Sequence, residues 1–368
     1  MSAAAGFAAT YGEARQKFLA AARARGLALR HHVHPVAKGA QGEDLAIDVA
    51  VLGDPAAREV LLLTAGTHGA EGFCGSGCEI GLLADDAFVA QALRDGVRVV
   101  FLHALNPFGF SHLRRTNEDN VDLNRNFRDW SVPALPNRAY ADVHGFMVPA
   151  TWPPSPADDA ALGAYLAAHG ERTLQQAVSS GQSEFPDGLF YAGVRAAWSN
   201  GVLRRVLREE AAGARALAWI DYHTALGPRG HGEMIYNGGP HPEDIARTKA
   251  IWGPAVTSFY DGSSTSAALT GINGHAARDE CPGVAYAGIA LEFGTLPVLA
   301  VLQALRADQW LANHPDAPAE QRAAIKRAVR DAFYQDADDW KAMLHAQSLA
   351  RAREALAGLV AGRAGAGA

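Results

Sequence analysis

Cysteine is scarce in this chain: Cys74, Cys78 and Cys281 are the three present in 368 residues. An odd, sparse set cannot build a disulfide framework, so these are expected to be reduced thiols in a cytoplasmic protein. Long apolar runs are missing as well, and no stretch approaches the about eighteen apolar residues that span a bilayer. The Ala-rich start, Met1 to Arg25, is broken by Tyr11, Glu13, Arg15, Gln16 and Lys17, which leaves no apolar centre for a secretory signal. There is no basic excess: 33 Lys and Arg stand against 39 Asp and Glu, giving a net charge of -6 and a pI near 6.2. That removes the electrostatic footprint of nucleic-acid or anionic-membrane binding. A GxSxG elbow for a serine nucleophile is absent. Cys74 and Cys78, spaced i, i+4 on an expected helix, read as small core residues rather than as nucleophiles.

What is present is ordinary globular composition, 49% hydrophobic and 20% charged. Short β-branched or aromatic runs bounded by Gly, Pro or Asp predict strands at Leu45–Leu52, Glu59–Ala65 and Val97–Leu105. Helical patterns from Glu71 to Leu83 and from Phe88 to Leu93 lie between the last two, and strand, helix, strand is the signature of a parallel unit. A helix is also expected within Gly6–Leu27. Strand character returns at Ala216–Tyr222, Glu233–Asn237 and Gly288–Phe293, so one sheet draws on both halves of the chain. The expected fold class is therefore α/β. Residues 1–368 read as one domain, with a helical insertion at about 140–215 and a charged, Ala-rich helical tail at about 317–368.

Four pieces carry chemistry. Thr67-His68-Gly69-Ala70-Glu71 follows a strand, placing His68 and Glu71 at a carboxyl end, where open α/β folds hold their ligands. In a helical turn the two share a face, and an imidazole with a carboxylate is a normal zinc pair. Alone, an HxxE match is as well explained by a surface histidine beside a solvated carboxylate. Asp221-Tyr222-His223-Thr224 delivers His223 at the end of a second strand. A catalytic zinc takes three protein ligands and keeps an open position, which His68, Glu71 and His223 would provide. The same set of two histidines and one carboxylate also suits iron or manganese.

Glu292 is one carboxylate in the apolar run Ile289–Gly294. Burying it is costly unless it is paired or used, and burial raises its pKa toward the range of a general base. The competing reading is an edge strand with Glu292 in solvent. Between Asn106 and Asn137 a long polar loop carries Arg114-Arg115-Thr116-Asn117 and Asn120-Val121-Asp122-Leu123-Asn124-Arg125-Asn126-Phe127. Long loops inside compact domains are more often functional than idle. Arg125 beside Asn124 could bind a substrate carboxylate through its fixed fork, whereas an Asx-rich loop that satisfies only itself is the bland alternative. His231 in a Gly-rich turn is either pocket-lining or solvated.

In this order the pieces resemble the zinc carboxypeptidase and aspartoacylase (succinylglutamate desuccinylase) superfamily, the family-14 metallopeptidase fold. GTHGAEG, DYHTALG and LEFGT look like a bacterial branch of it described only as a domain of unknown function. The resemblance spans His68 to Glu292, and it implies a three-layer α/β/α sandwich with a mixed, mostly parallel central sheet. It implies one Zn2+ per chain on His68, Glu71 and His223, and Glu292 as general base and then acid. It further implies Arg114 as the group that polarises the scissile carbonyl, Asn124 and Arg125 as holders of a terminal carboxylate, and Asp122 as the carboxylate that orients His68. The superfamily's carboxypeptidases also close a mobile tyrosine over the substrate. The stretch 261–279 that should carry it has none, which leaves Tyr236, Tyr260 and Tyr286 as nearby candidates. The expected activity is hydrolysis of an amide beside a carboxylate-bearing residue, carboxypeptidase-like or as an N-acyl-amino-acid deacylase of aspartoacylase type. The reading from another class is a zinc-binding protein without turnover. The expected partner is a small peptide or acyl-amino-acid substrate, neither nucleic acid nor membrane, with a homo-oligomer left open.

Overall fold

The computed structural model describes residues 3–134 and 136–365. Met1, Ser2, Leu135 and the last three residues of the expected tail lie outside that range. In chain order the described residues form α1 (Tyr11–Ala24), β1 (Ala28–Lys38), β2 (Asp44–Leu52), β3 (Glu59–Thr64), α2 (Gly72–Ala84), α3 (Asp86–Arg94), β4 (Arg98–His103) and α4 (Pro107–His112). There follow α5 (Arg138–Met147), α6 (Pro156–Ser179), α7 (Trp198–Glu210), β5 (Ala216–Arg229), β6 (Gly232–Tyr236), α8 (Pro242–Trp252), α9 (His275–Glu280) and β7 (Ala285–Gly294). The chain ends in α10 (Val298–Asn313), α11 (Ala319–Phe333) and α12 (Asp338–Gly365).

The seven strands make one sheet in the order β1-β2-β4-β3-β5-β7-β6. β4, β3, β5 and β7 are mutually parallel, β2 is antiparallel to β4, and β1 is antiparallel to β2, so β1 runs with the central four. β6 closes the far edge antiparallel to β7. The sheet is mixed and mostly parallel, as expected.

Both faces of the central strands are buried, and their side chains alternate between two separate clusters. Leu61 and Leu63 of β3 and Ala218, Ile220 and Tyr222 of β5 pack with α1, α2, α3 and α12. Val60 and Leu62 of β3 and Leu217 and Trp219 of β5 pack with α7 and the 121–127 loop. Continuous apolar runs rather than in-out alternation are what a doubly covered parallel strand requires, and two covering layers make the sandwich. A third cluster joins α5, α6, α10 and α11 around Ala225, in the second half of β5.

Several elements were not foreseen, among them β1, α4, α8, α9 and α10. β1 reads ALRHHVHPVAK, with Pro35 and an exposed, irregular burial pattern; it is an edge strand and carries no clear period. α10 buries Val301, Ala304, Leu305 and Trp310 at helical spacing that was readable but went unassigned. The helical pattern expected from 196 to 217 stops at Glu210, since residues 216 onward pair with β3 and β7. The expected tail is two helices, and α12 buries Trp340, Leu344 and Leu356 against the body. Among the described residues no helix is long and apolar enough to cross a membrane. The three cysteines are free and buried.

Candidate metal centre

β3, β5 and β7 are neighbours in the sheet, and each delivers one piece of a site at its carboxyl end. After β3 the chain turns through His68 into a short 3-10 turn, Gly69–Glu71, and then into α2. That turn lies hard against α4. A Cβ on Gly69 would stand 2.0 Å from the carbonyl carbon of Gly109, so only glycine fits between His68 and Glu71. The turn is also held by the polar loop, because Gly69 N–H donates to Arg115 O at 3.2 Å and Ala70 N–H to Arg114 O at 2.8 Å. On the neighbouring strands His223 and Glu292 are register partners, which puts both on one face of the sheet.

The donor atoms converge. Nδ1 of His68 is 2.8 Å from Glu71 Oε1, Nδ1 of His223 is 3.1 Å from Glu71 Oε2, and the two Nδ1 atoms are 3.3 Å apart. Two donors held at about 2.05 Å from one tetrahedral centre are separated by about 3.3 Å. The ligand atoms of His68, Glu71 and His223 all lie within 4.8 Å of one another, and all three residues are buried. The geometry and the donor types thus fit a single divalent cation.

The far ring nitrogens face carboxylates, the arrangement that fixes a metal-binding imidazole and raises its basicity. His223 Nε2 is 2.6 Å from Asp221 Oδ2. Asp221 also accepts from Thr64 at 2.5 Å, Thr67 at 2.9 Å and Asn273 at 2.6 Å. Burial pushes its carboxyl up, but these donors and His223 hold it below the usual range. Asp122 stands behind His68, with Oδ1 3.3 Å from Nε2, and accepts Arg115 Nε at 2.9 Å. Although burial works against it, Arg115, Arg125 and His68 keep Asp122 well below the ordinary carboxylate range. Glu71 likewise is lowered by His68 and His223 despite complete burial. Three buried carboxylates therefore face two guanidiniums, and the balance is left to a cation or a protonated imidazole. Without a metal, Asp221 and Glu71 overcome burial and raise His223 well above its usual value.

Glu292 differs from its neighbours. It is 9% exposed, its Oε1 accepts the Leu226 N–H at 2.9 Å, and no guanidinium pairs with it. Burial, helped by the nearby charge of Glu71, raises its pKa to about 7. β7 is an interior strand flanked by β5 and β6, so the solvated edge-strand alternative does not apply.

The two loop arginines part company. Arg115 Nη1 is 3.2 Å from Glu71 Oε1, its Nη2 is 2.7 Å from His68 Nε2, and it lines the cavity. Arg114 does not reach the cluster. Its Nε pairs with Asp308 of α10 at 3.2 Å and its Nη2 donates to Asn120 at 2.8 Å. Asp308 thus holds the Arg114 guanidinium away from the metal ligands, and the expectation for Arg114 is corrected accordingly. Asn124 and Arg125 both line the cavity. Arg125 donates Nε and Nη2 to Ser179 O at 2.8 and 2.6 Å and Nη1 to Asn124 O at 2.7 Å, which leaves two of its five N–H groups. Burial lowers its pKa to about 10, so it stays charged at neutral pH. Asn124 Oδ1 accepts Asn273 N–H at 2.9 Å.

Sequence reasoning missed several participants. Asp221 was readable, because i and i+2 on a strand share a face and His223 was already singled out. Arg115 was quoted but not chosen. Phe190, whose ring lies 4.7 Å from the Arg115 guanidinium and 5.5 Å from that of Arg125, has no local signal. None of the three candidate tyrosines turns its hydroxyl to the cluster. Tyr236 donates to Gly239 O at 2.8 Å, Tyr260 to Gly238 O at 3.0 Å, and Tyr286 to Asn237 O. His231 is exposed.

Solved structures similar to the chain include thrombin activatable fibrinolysis inhibitor (12% identity, 88% of this chain and 77% of that one, TM-score 0.45). The bovine form of that protein, in complex with tick carboxypeptidase inhibitor, matches at 11% identity over 88% of this chain and 96% of that one, with TM-score 0.41. A metallo-carboxypeptidase from Burkholderia cenocepacia matches at 14% identity over 90% and 68%, with TM-score 0.38. No curated protein matches the sequence. The family model described as "Protein of unknown function (DUF2817)" matches residues 7–347, and the chain belongs to that family.

Proposed function

We propose that the protein is a zinc-dependent amide hydrolase acting beside a carboxylate-bearing residue. The observation that carries this reading is the convergence of three buried metal donors in one cavity with a further carboxyl, Glu292, whose pKa lies near neutrality rather than with its neighbours. His68, Glu71 and His223 would hold the metal. When bound, zinc acts as a Lewis acid and lowers the pKa of its water toward about 7.

The remaining steps belong to the chain's own side chains. Glu292 takes a proton from the attacking water and returns it to the departing amine, the dual use that a pKa near the working pH permits. Arg115, rather than Arg114, stands where a guanidinium can share the negative charge that develops on the carbonyl oxygen. Arg125 offers its two unspent N–H groups, with Asn124 beside it, to the substrate carboxylate. Asp221 holds the His223 imidazole in the tautomer that leaves Nδ1 free, while Asp122 stands behind His68 and takes the Arg115 guanidinium that also meets His68 Nε2.

Carboxypeptidase-like cleavage and deacylation of an N-acyl amino acid share these steps. The test is hydrolysis by zinc-loaded protein, with Glu292→Gln as control, of N-acyl amino acids and of C-terminal peptide bonds. Turnover of neither substrate class, or turnover that survives Glu292→Gln, would remove the reading.

A further inference from the structure

The cavity that opens on His68, Glu71 and His223 has a volume of about 130 Å³. Pockets for drug-sized ligands run to roughly 300–1,000 Å³, so the space at the donors suits a small molecule rather than a long chain. The metal-donor residues are only 2–4% exposed. A cavity this small and this screened raises the question of what closes it.

The second half of α6 is the closing element. At Gly170 the helix breaks, with φ 79° and ψ 165°, and just past its end Gly181 has φ +99°. Side-chain-bearing residues rarely take such conformations, so residues 171–180 form a helical piece set off by glycine at both ends. It puts Glu171, Leu174, Gln175, Val178 and Ser179 into the cavity wall, together with Leu302 and Leu305 of α10 and Ala267 and Leu269 of the loop between α8 and α9. Its outer side is fastened to that loop by side chains on backbone. Arg172 donates to Thr265 O and Ser266 O, both at 2.7 Å. Gln176 Nε2 donates to Ala268 O at 3.1 Å and its Oε1 accepts Ala268 N–H at 3.0 Å. Thr270 Oγ1 donates to Ser180 O at 3.2 Å. At the inner end Ser179 O takes two N–H groups of Arg125, the guanidinium that faces the substrate carboxylate.

An extended peptide longer than the cavity would have to pass this wall, and to make room it would have to break the fastening of residues 171–180 to the loop before α9. We propose that residues 171–180 act as a size filter that restricts the site to singly N-acylated amino acids bearing one apolar group and a free carboxylate, and turns away the ends of longer peptides. The choice of ligand rests on the amide-hydrolase reading; the filter itself rests on the wall and its fastening.

The experiment is titration calorimetry on the zinc-loaded full chain carrying Glu292→Gln. The probes are N-acetyl-leucine and an N-acetylated hexapeptide ending in leucine. N-acetyl-leucine should bind at least about tenfold more tightly, and adding Arg172→Ala with Gln176→Ala should narrow the gap to about threefold or less while leaving the N-acetyl-leucine affinity unchanged. Equal affinities in the parent or a gap that survives the double substitution would overturn the filter, and failure of N-acetyl-leucine to bind would overturn the choice of ligand. Hydrolysis is scored separately on the Glu292-containing protein, so loss of the amide-hydrolase reading would leave the binding result interpretable.

Discussion

Arg114 and Arg115 are adjacent in the chain and send their guanidiniums into different parts of the molecule, one to Asp308 and the other to Glu71 and His68. Their substitutions should therefore differ in kind. Arg115→Ala should lower turnover by about 10²–10³-fold with the fold intact. Arg114→Ala leaves Asp308 to Lys326, which stays 2.6 Å away, and should cost about 1–3 kcal/mol of stability with turnover largely kept. Steady-state rates and urea unfolding on both variants check this, and the reverse pattern would refute the assignment.

The purified protein should carry about one zinc per chain, lost under mild chelation in His68→Ala and His223→Ala. Asp221→Asn and Asp122→Asn should keep the metal but bind it about 10–100-fold more weakly, because each loses the carboxylate that orients an imidazole. Elemental analysis with chelator competition measures both effects. Metal retained at full occupancy in both histidine variants would rule out the site.

Glu292→Gln should abolish hydrolysis while metal content stays the same, and it should stabilise the metal-free protein at high pH. The sign follows from proton binding. A carboxyl at about 7 in the folded state and 4.5 unfolded holds its proton more tightly when folded, so stability falls as pH rises between those values. Removing it should add roughly 2–3 kcal/mol at pH 8 and little at pH 4. Denaturant midpoints of the two metal-free proteins at the two pH values provide the comparison.

Arg125 divides its guanidinium between Ser179 O, Asn124 O and the cavity, a division of donors that a single ammonium cannot reproduce. Arg125→Lys should raise KM by about 10–100-fold and alter kcat less. Equal losses in both would instead mean that Arg125 acts in the transition state.

Much of this was legible from residues alone, and for identifiable reasons. The central strands announced themselves because β3, β4, β5 and β7 are buried on both faces and so are continuously apolar. His68, Glu71, His223 and Glu292 stood out because polar residues at the ends of such runs need an explanation. β1 escaped because an exposed edge strand carrying three histidines and a proline has no period to read. The choice between Arg114 and Arg115 was beyond pattern reading, since it is settled by Asp308, nearly two hundred residues away, which draws one guanidinium aside. The cavity wall of α10 was hidden differently: Leu302 and Leu305 look like any helix core until the fold turns them toward the donors.

The donors come from strands that meet only when the sheet is complete, and His68 and His223 are 155 residues apart in the chain. Closing a loop of that length is an entropic cost met late, after most of the parallel core has assembled. A bound ion cannot seed such a structure, because no early segment offers more than the His68 and Glu71 pair. Its binding energy falls on the finished state and so on the barrier to leaving it. Saturating zinc should lengthen the lifetime of the native protein against unfolding and leave the refolding rate nearly where it was, so that the ion acts as a brake on the way out rather than a guide on the way in.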